Sequence, residues 1–261
     1  MKKLLFFSLG LLLIISAVVG NNEIKAASKT ITLRADVWFP YNGKPGSNKL
    51  GFMMDIAVAA FKEKGYKIDY KTLPWNRAIK EARAGKFDGI IGAFKEDAPD
   101  FNFPKNELGV SKTVFWVKKN EKWKYKNMSS LKSVSIGVIK DYSYGDKFDA
   151  YIKKNQKNMK KVQVSFGNEA LKNNIRKVLN GRTIAFVEDL MVASAELTDM
   201  KLAGKFKTAG MLSVDKVYIA FSPKSANAKK YADILSDAVK KYRMNGKLKK
   251  IMAKYGLKDW K

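Results

Sequence analysis

The chain has 261 residues, 46% hydrophobic and 12% aromatic, enough for one large or two modest cores. It carries 51 Lys and Arg against 24 Asp and Glu, a formal charge of +27, and it has no histidine and no cysteine. These absences exclude disulfides, thiolate metal sites and cysteine nucleophiles, and leave only Asp, Glu, Lys, Ser and Tyr for any chemistry. The positive charge does not point to nucleic acid. Only six basic residues are arginine, and the lysines are spread along every predicted helix, with denser stretches at 118–126 and 153–161. Bidentate recognition of phosphate or base favours arginine, so this pattern reads as solvated faces plus a long-range positive field.

At the N-terminus, Lys2 and Lys3 precede an apolar run at 4–20. That pattern predicts a secretory signal peptide over 1–27, cut after Gly20 or near Ala26 and Ala27, and it is short for a membrane span. With no cysteine to carry a lipid anchor, the mature protein is expected to be soluble and retained in a periplasm.

The first strand is expected at 31–37. Met53, Ile56, Ala57, Ala60 and Phe61 then fall near helical spacing, with Asp55 in the first turn and Gly65 ending the helix. A strand at 66–72 follows. Pro74 opens the next helix, Trp75, Ile79 and Ala82 share one face, Gly85 closes it, and a buried strand is expected at 89–92. Strands at 113–117 and 214–221 read as two crossings between lobes. Between them the pattern predicts strands at 134–139, 162–165 and 184–187, with helices over 144–152, 171–179 and 190–197. Helices at 226–244 and 246–255 are expected to return to the first lobe. The expected fold is α/β, two lobes each built on a mostly parallel sheet flanked by helices and joined by two hinge strands. Lobe 1 comprises 28–116 and 214–261, and lobe 2 comprises 117–213. Such an arrangement opens the carboxyl ends of strands onto a shared crevice.

Three segments in this order, ADVWFPY at 35–41, GFMMD at 51–55 and GKFDGIIG at 85–92, resemble the first lobe of bacterial extracellular solute-binding proteins of family 3. The resemblance continues through GRTIAFVED at 181–189 to the helical C-terminus. It implies a type II periplasmic-binding-protein fold, an amino-acid-type solute in the interlobe cleft, an ABC permease in the inner membrane as partner, a monomer, and no cofactor, metal or catalytic residue.

The candidate ligand contacts come from both lobes. The loop after the first strand carries Asp36, Trp38 and Tyr41; the resemblance implies an aromatic here that stacks on the ligand, Trp38 first and Tyr41 second. Trp75 and Arg77 open the second helix, and Arg77 could present a guanidinium fork to a carboxylate or phosphate, or lie at the surface paired with a nearby acidic residue. After Gly92 the chain reads AFKEDAPD at 93–100, where the family has a hydroxyl-rich turn and an arginine that clamps the ligand's α-carboxylate. Phe94 and Glu96 take the hydroxyl positions and Pro99 the arginine position, so Lys95 or Arg77 would have to substitute. In lobe 2, Tyr142 and Tyr144 add aromatic walls. The backbone N–H groups of Ser143 and Tyr144 could hold an anionic group at a helix N-terminus, or Ser143 could be an ordinary N-cap. Asp189 matches the position that binds the ligand's amine in the family, and also suits an N-cap.

The solute class expected is an amino acid or a related amine or organic acid. Two alternatives stay open: a dehydratase of cyclohexadienyl-type substrates, with Glu96 or Glu188 as general acid, and a soluble ligand sensor for a membrane receptor.

Overall fold

A computed structural model of the chain describes residues 29–261. The predicted signal peptide lies outside the described residues. In chain order the elements are β1 (Lys29–Ala35), α1 (Phe52–Lys62), β2 (Tyr66–Thr72), α2 (Trp75–Arg83), β3 (Gly89–Ala93) and β4 (Gly109–Lys118). Then come β5 (Ile136–Ile139), α3 (Asp146–Asn155), β6 (Val162–Ser165), α4 (Ala170–Leu179), β7 (Ala185–Asp189) and α5 (Leu190–Asp199). The chain closes with β8 (Phe206–Phe221), α6 (Ala228–Met244) and α7 (Lys247–Ala253).

The eight strands form one curled sheet in the order β2-β1-β3-β8-β4-β7-β5-β6. At one end β1 runs parallel to β2 and β3; at the other, β5 runs parallel to β6 and β7. The two parallel units are joined by antiparallel pairs, β3 with β8, β8 with β4 and β4 with β7. The ladder between β4 and β8 runs from Gly109 opposite Val217 to Lys118 opposite Phe206. The pattern anticipated this pair only at 113–117 and 214–221. The earlier part of β8 alternates weakly and leaves Met211 and Val214 about half exposed. Its pairing with β4 comes from backbone hydrogen bonds that apolar alternation does not report. The expected lobe boundaries at 116 and 214 therefore fall inside β4 and β8.

Separate cores lie on the two parallel units. Ile31, Leu33, Phe52, Phe61 and Phe221 pack with Tyr231, Leu235, Tyr242 and Leu248, which seats α6 and α7 against α1. Phe115, Val138, Phe148 and Val187 anchor the other unit. Two polar ties fasten the C-terminal helices. Asp55 accepts from the Tyr255 hydroxyl at 2.7 Å and from Lys254 Nζ at 2.8 Å. Glu63 accepts from Tyr242, Lys241 and Lys247, and these donors, Lys247 foremost, pull its carboxyl down to about 2.

Candidate functional site

The loop after β1 is a tight turn. The Trp38 N–H donates to the Asn42 carbonyl at 2.9 Å, and the Tyr41 N–H donates to the Trp38 carbonyl at 2.9 Å. The first helical N–H groups of α1, which have no partner within the helix, are spent on this loop: Phe52 donates to the Pro40 carbonyl at 2.9 Å and Met53 to the Tyr41 carbonyl at 3.0 Å. Gly51, at φ 97° before that helix, allows the approach, because a Cβ there would run into the Tyr41 carbonyl. The loop is thus clamped to a buried helix, and its aromatic side chains hold fixed positions.

Trp38 stacks on Tyr41 with centroids 4.1 Å apart and planes at 16°, and meets Phe94 edge-on at 6.3 Å. Tyr41 is fully buried; its hydroxyl lies 2.8 Å from the Val110 carbonyl and 3.1 Å from Oδ2 of Asp189. Trp38 is the cavity-facing layer of this stack and Tyr41 its backing. Beside them a cavity of about 40 Å³ is lined by Asp36, Trp38, Trp75, Ile91, Gly92, Phe94 and Asp97 from one side of the cleft and by Tyr142 and Ser143 from the other. Gly92 sits at the bulge between Ile91 and Ala93, with φ 87°, and turns β3 away beneath Trp38.

Three hydrogen bonds cross the cleft. The Tyr142 hydroxyl donates to Oδ2 of Asp36 at 2.6 Å, Nε1 of Trp38 donates to Oε1 of Glu188 at 3.2 Å, and the Tyr41 hydroxyl faces Asp189. Every acceptor is a carboxyl group, and the environment is short of positive charge. Burial pushes the Asp36 carboxyl up, against the Tyr142 hydrogen bond. Asp97 is pushed up to about 7, chiefly by burial, although the Phe94 N–H donates to it at 2.9 Å. Glu188 is pushed up to about 8, again chiefly by burial, with Asp189 and Asp36 adding repulsion. Its Oε1 takes the Trp38 indole and the Asp189 N–H, while no described residue donates to Oε2. Among the described residues no Lys or Arg lines the cavity.

The structure gathers Asp36, Trp38, Trp75, Phe94, Tyr142 and Ser143 at the cavity, with Tyr41 directly behind. It leaves others outside. Arg77 is exposed and pairs with Glu81 one turn on, because Ala78, Ile79 and Ala82 take the inner face of α2. Lys95 is exposed with its ammonium 5.7 Å from the Tyr218 ring centroid, so neither base stands in for a carboxylate clamp at the cavity. Glu96 is exposed as well; its neighbour Asp97 is the carboxylate that turns inward.

The expected anion site before α3 is partly filled by the chain itself, at the Tyr144 N–H. Asp149 accepts from the Tyr144 N–H at 2.9 Å and from the Ser143 hydroxyl at 3.0 Å, and Gly145, not Ser143, is the N-cap. Tyr144 belongs to the core around Phe148, where its hydroxyl accepts from the Ile139 N–H. Asp189 is an N-cap with both oxygens engaged. Oδ1 takes the Met191 and Val192 N–H groups, and Oδ2 takes Ser111 and the Lys112 N–H beside Tyr41. A carboxylate offers roughly four lone-pair positions, so this arrangement leaves none over for a ligand amine. Asp97, Ile91 and Gly92 are the lining residues missed from sequence. The Asp-Ala-Pro turn after Phe94 is the one local signal for Asp97, whose oxygen closes a turn onto the Phe94 N–H.

Two parallel-sheet units flanked by helices, bridged by a shared ladder and facing each other across an aromatic cleft, define a two-lobed binding protein of the periplasmic type. The chain belongs to the bacterial extracellular solute-binding proteins, family 3, whose model matches residues 34–258. It is 22% identical to the probable amino-acid-binding protein YxeM of Bacillus subtilis (strain 168), over 99% of this chain and 97% of that one. Its fold is similar to a chain from the structure of glutathione import via GshT and the cystine ABC importer TcyBC of Streptococcus mutans. That match has a TM-score of 0.72 and 20% identity, and covers 88% of this chain and 96% of the other. It is also similar to the ancestral amino-acid-binding protein AncCDT-1, a precursor of cyclohexadienyl dehydratase, with a TM-score of 0.64 and 20% identity over 87% and 94%.

Proposed function

We propose that this protein captures a small polar solute, an amino acid or a related amine or organic acid, between two lobes formed by 28–116 with 214–261 and by 117–213, and delivers it to an ABC permease. The observation that carries this reading is the aromatic cavity bridged from both sides by Tyr142 with Asp36 and Trp38 with Glu188. A solute placed there touches both lobes, so its binding energy favours the closed form, and a membrane partner can read the closure as a population shift. Family membership supports solute capture and an extracytoplasmic site of action, and the apolar segment at 4–20 behind Lys2 and Lys3 supports export through a signal peptide.

The test is a thermal-unfolding screen of the purified protein against amino acids, amines, dipeptides and organic acids. A ligand at ~100 times its dissociation constant adds about 2.7 kcal/mol of stability. A shift with one solute class identifies the cargo; a flat panel removes this reading.

One observation favours a second reading. Glu188 is buried in the cleft with its carboxyl raised to about 8 and one oxygen without a described partner, so it holds a proton at neutral pH as a general acid must. A dehydratase of cyclohexadienyl-type acids would give that proton to the ring hydroxyl as it leaves as water, while the ring carboxylate leaves as carbon dioxide and its bonding pair completes the aromatic ring. Turnover abolished by Glu188→Gln would establish this activity, and recovery of the acid unchanged would eliminate it.

A further inference from the structure

The cavity combines two kinds of surface seldom found together without a base. Four aromatic side chains line it, Trp38, Trp75, Phe94 and Tyr142, and two carboxyl groups, Asp36 and Asp97. Among the described residues no basic side chain joins them. Rings attract cations through their negative faces, and carboxylates do so by charge; both repel a second carboxylate.

We infer that the cargo is a small organic cation without a carboxylate, an amine, methylated ammonium or guanidinium, enclosed by Trp38, Trp75, Phe94 and Tyr142 and balanced by Asp36 and Asp97. This inference rests on the solute-binding reading above and names its ligand class.

Two features agree on this class. The counter-charges expected for an anionic ligand, Arg77 and Lys95, are exposed and committed elsewhere, to Glu81 and to the Tyr218 ring. In the loop before α3, the Tyr144 N–H, which could have received an anion, is taken by Asp149, whose other oxygen takes the Ser143 hydroxyl. The Asp97 carboxyl is pushed up chiefly by burial, and the neighbouring carboxylates of Glu96, Asp149 and Asp36 add repulsion. A cation is the species that would relieve it.

The protein's own charge makes a kinetic signature. At long range a field of +27 repels a cation, and added salt screens it, so capture of a cation is expected to quicken as salt rises, while capture of an anion would slow.

The experiment is titration calorimetry of the purified protein with matched pairs that differ by one carboxylate: 1,5-diaminopentane against lysine, and 4-aminobutylguanidine against arginine, with tetramethylammonium and glutarate as further probes. The expected result is that at least one carboxylate-free cation binds ~10-fold or more tightly than any carboxylate-bearing probe, a difference of about 1.4 kcal/mol. Asp97→Asn, which keeps an oxygen for the Phe94 N–H, is expected to weaken that binding ~10-fold or more without lowering the unfolding midpoint. Equal or tighter binding of lysine, arginine or glutarate would overturn the inference while leaving solute capture intact. Binding confined to uncharged solutes in the wider screen would do the same. If nothing in either panel binds, both readings fall.

Discussion

The Tyr142 hydroxyl donates to Oδ2 of Asp36 at 2.6 Å, joining the loop after β5 to the loop after β1 across the cleft. Tyr142→Phe removes the donor and leaves a buried carboxyl oxygen without it, a loss of about 1–3 kcal/mol borne only by the closed form. The ligand-free variant is therefore expected to open, with a larger radius of gyration by small-angle scattering. A scattering curve unchanged from the parent would mean the bond does not hold the lobes together.

Glu188 sets a pH dependence. Its carboxyl sits near 4.5 in an unfolded chain and at about 8 in the fold, so between those values the folded state binds the extra proton. Stability from this group is full below about 4.5 and declines as pH rises through about 8, the direction opposite to an ion-paired carboxylate. Asp97, raised to about 7, adds a decline of the same sign over a narrower window. Glu188→Gln cannot ionise, and its melting temperature is expected to fall less between pH ~5 and ~8. A slope as steep as the parent's would assign the dependence elsewhere.

Asp189→Asn is expected to cost stability first. Asn still offers one oxygen to cap α5, but its amide then meets the Lys112 N–H donor to donor. Losing that acceptor costs about 1–3 kcal/mol, read as a lower denaturant midpoint. A variant with parental stability and weakened ligand binding would instead return Asp189 to the role of amine contact.

Gly51→Ala tests the clamp on the aromatic loop. The residue would need φ 97° and would meet the Tyr41 carbonyl, so the turn must move. A penalty of about 1–3 kcal/mol is expected, together with loss of ligand affinity, since Trp38 shifts with its loop. Intact affinity in a destabilised protein would show that the platform is positioned by its stack alone.

The repeating units were legible because periodicity reports them directly. The Val162–Ser165 strand lies where alternation put it, and Gly65 and Gly85 adopt positive φ at the helix ends where they were expected to turn the chain. What escaped was set by contacts distant in sequence. The early part of β8 is polar and partly exposed, and only its pairing with β4 makes it a strand. Which carboxylate of the Glu96 and Asp97 pair faces the cavity depends on a turn closed by one hydrogen bond to Phe94. Arg77 takes the surface ion pair that its sequence also offered, because the inner face through Ile79 and Ala82 puts it outside, one turn from Glu81.

The ladder shared by β4 and β8 governs how the molecule comes apart. Strand β4 is paired to β8 from Gly109 to Lys118, and β8 continues from this ladder onto β3 through Tyr218–Phe221, so both crossing segments are hydrogen-bonded from end to end on at least one edge. Proteases need an unpaired, extended backbone, which these crossings do not offer. Limited digestion of the native protein should trim surface turns and release no intact half.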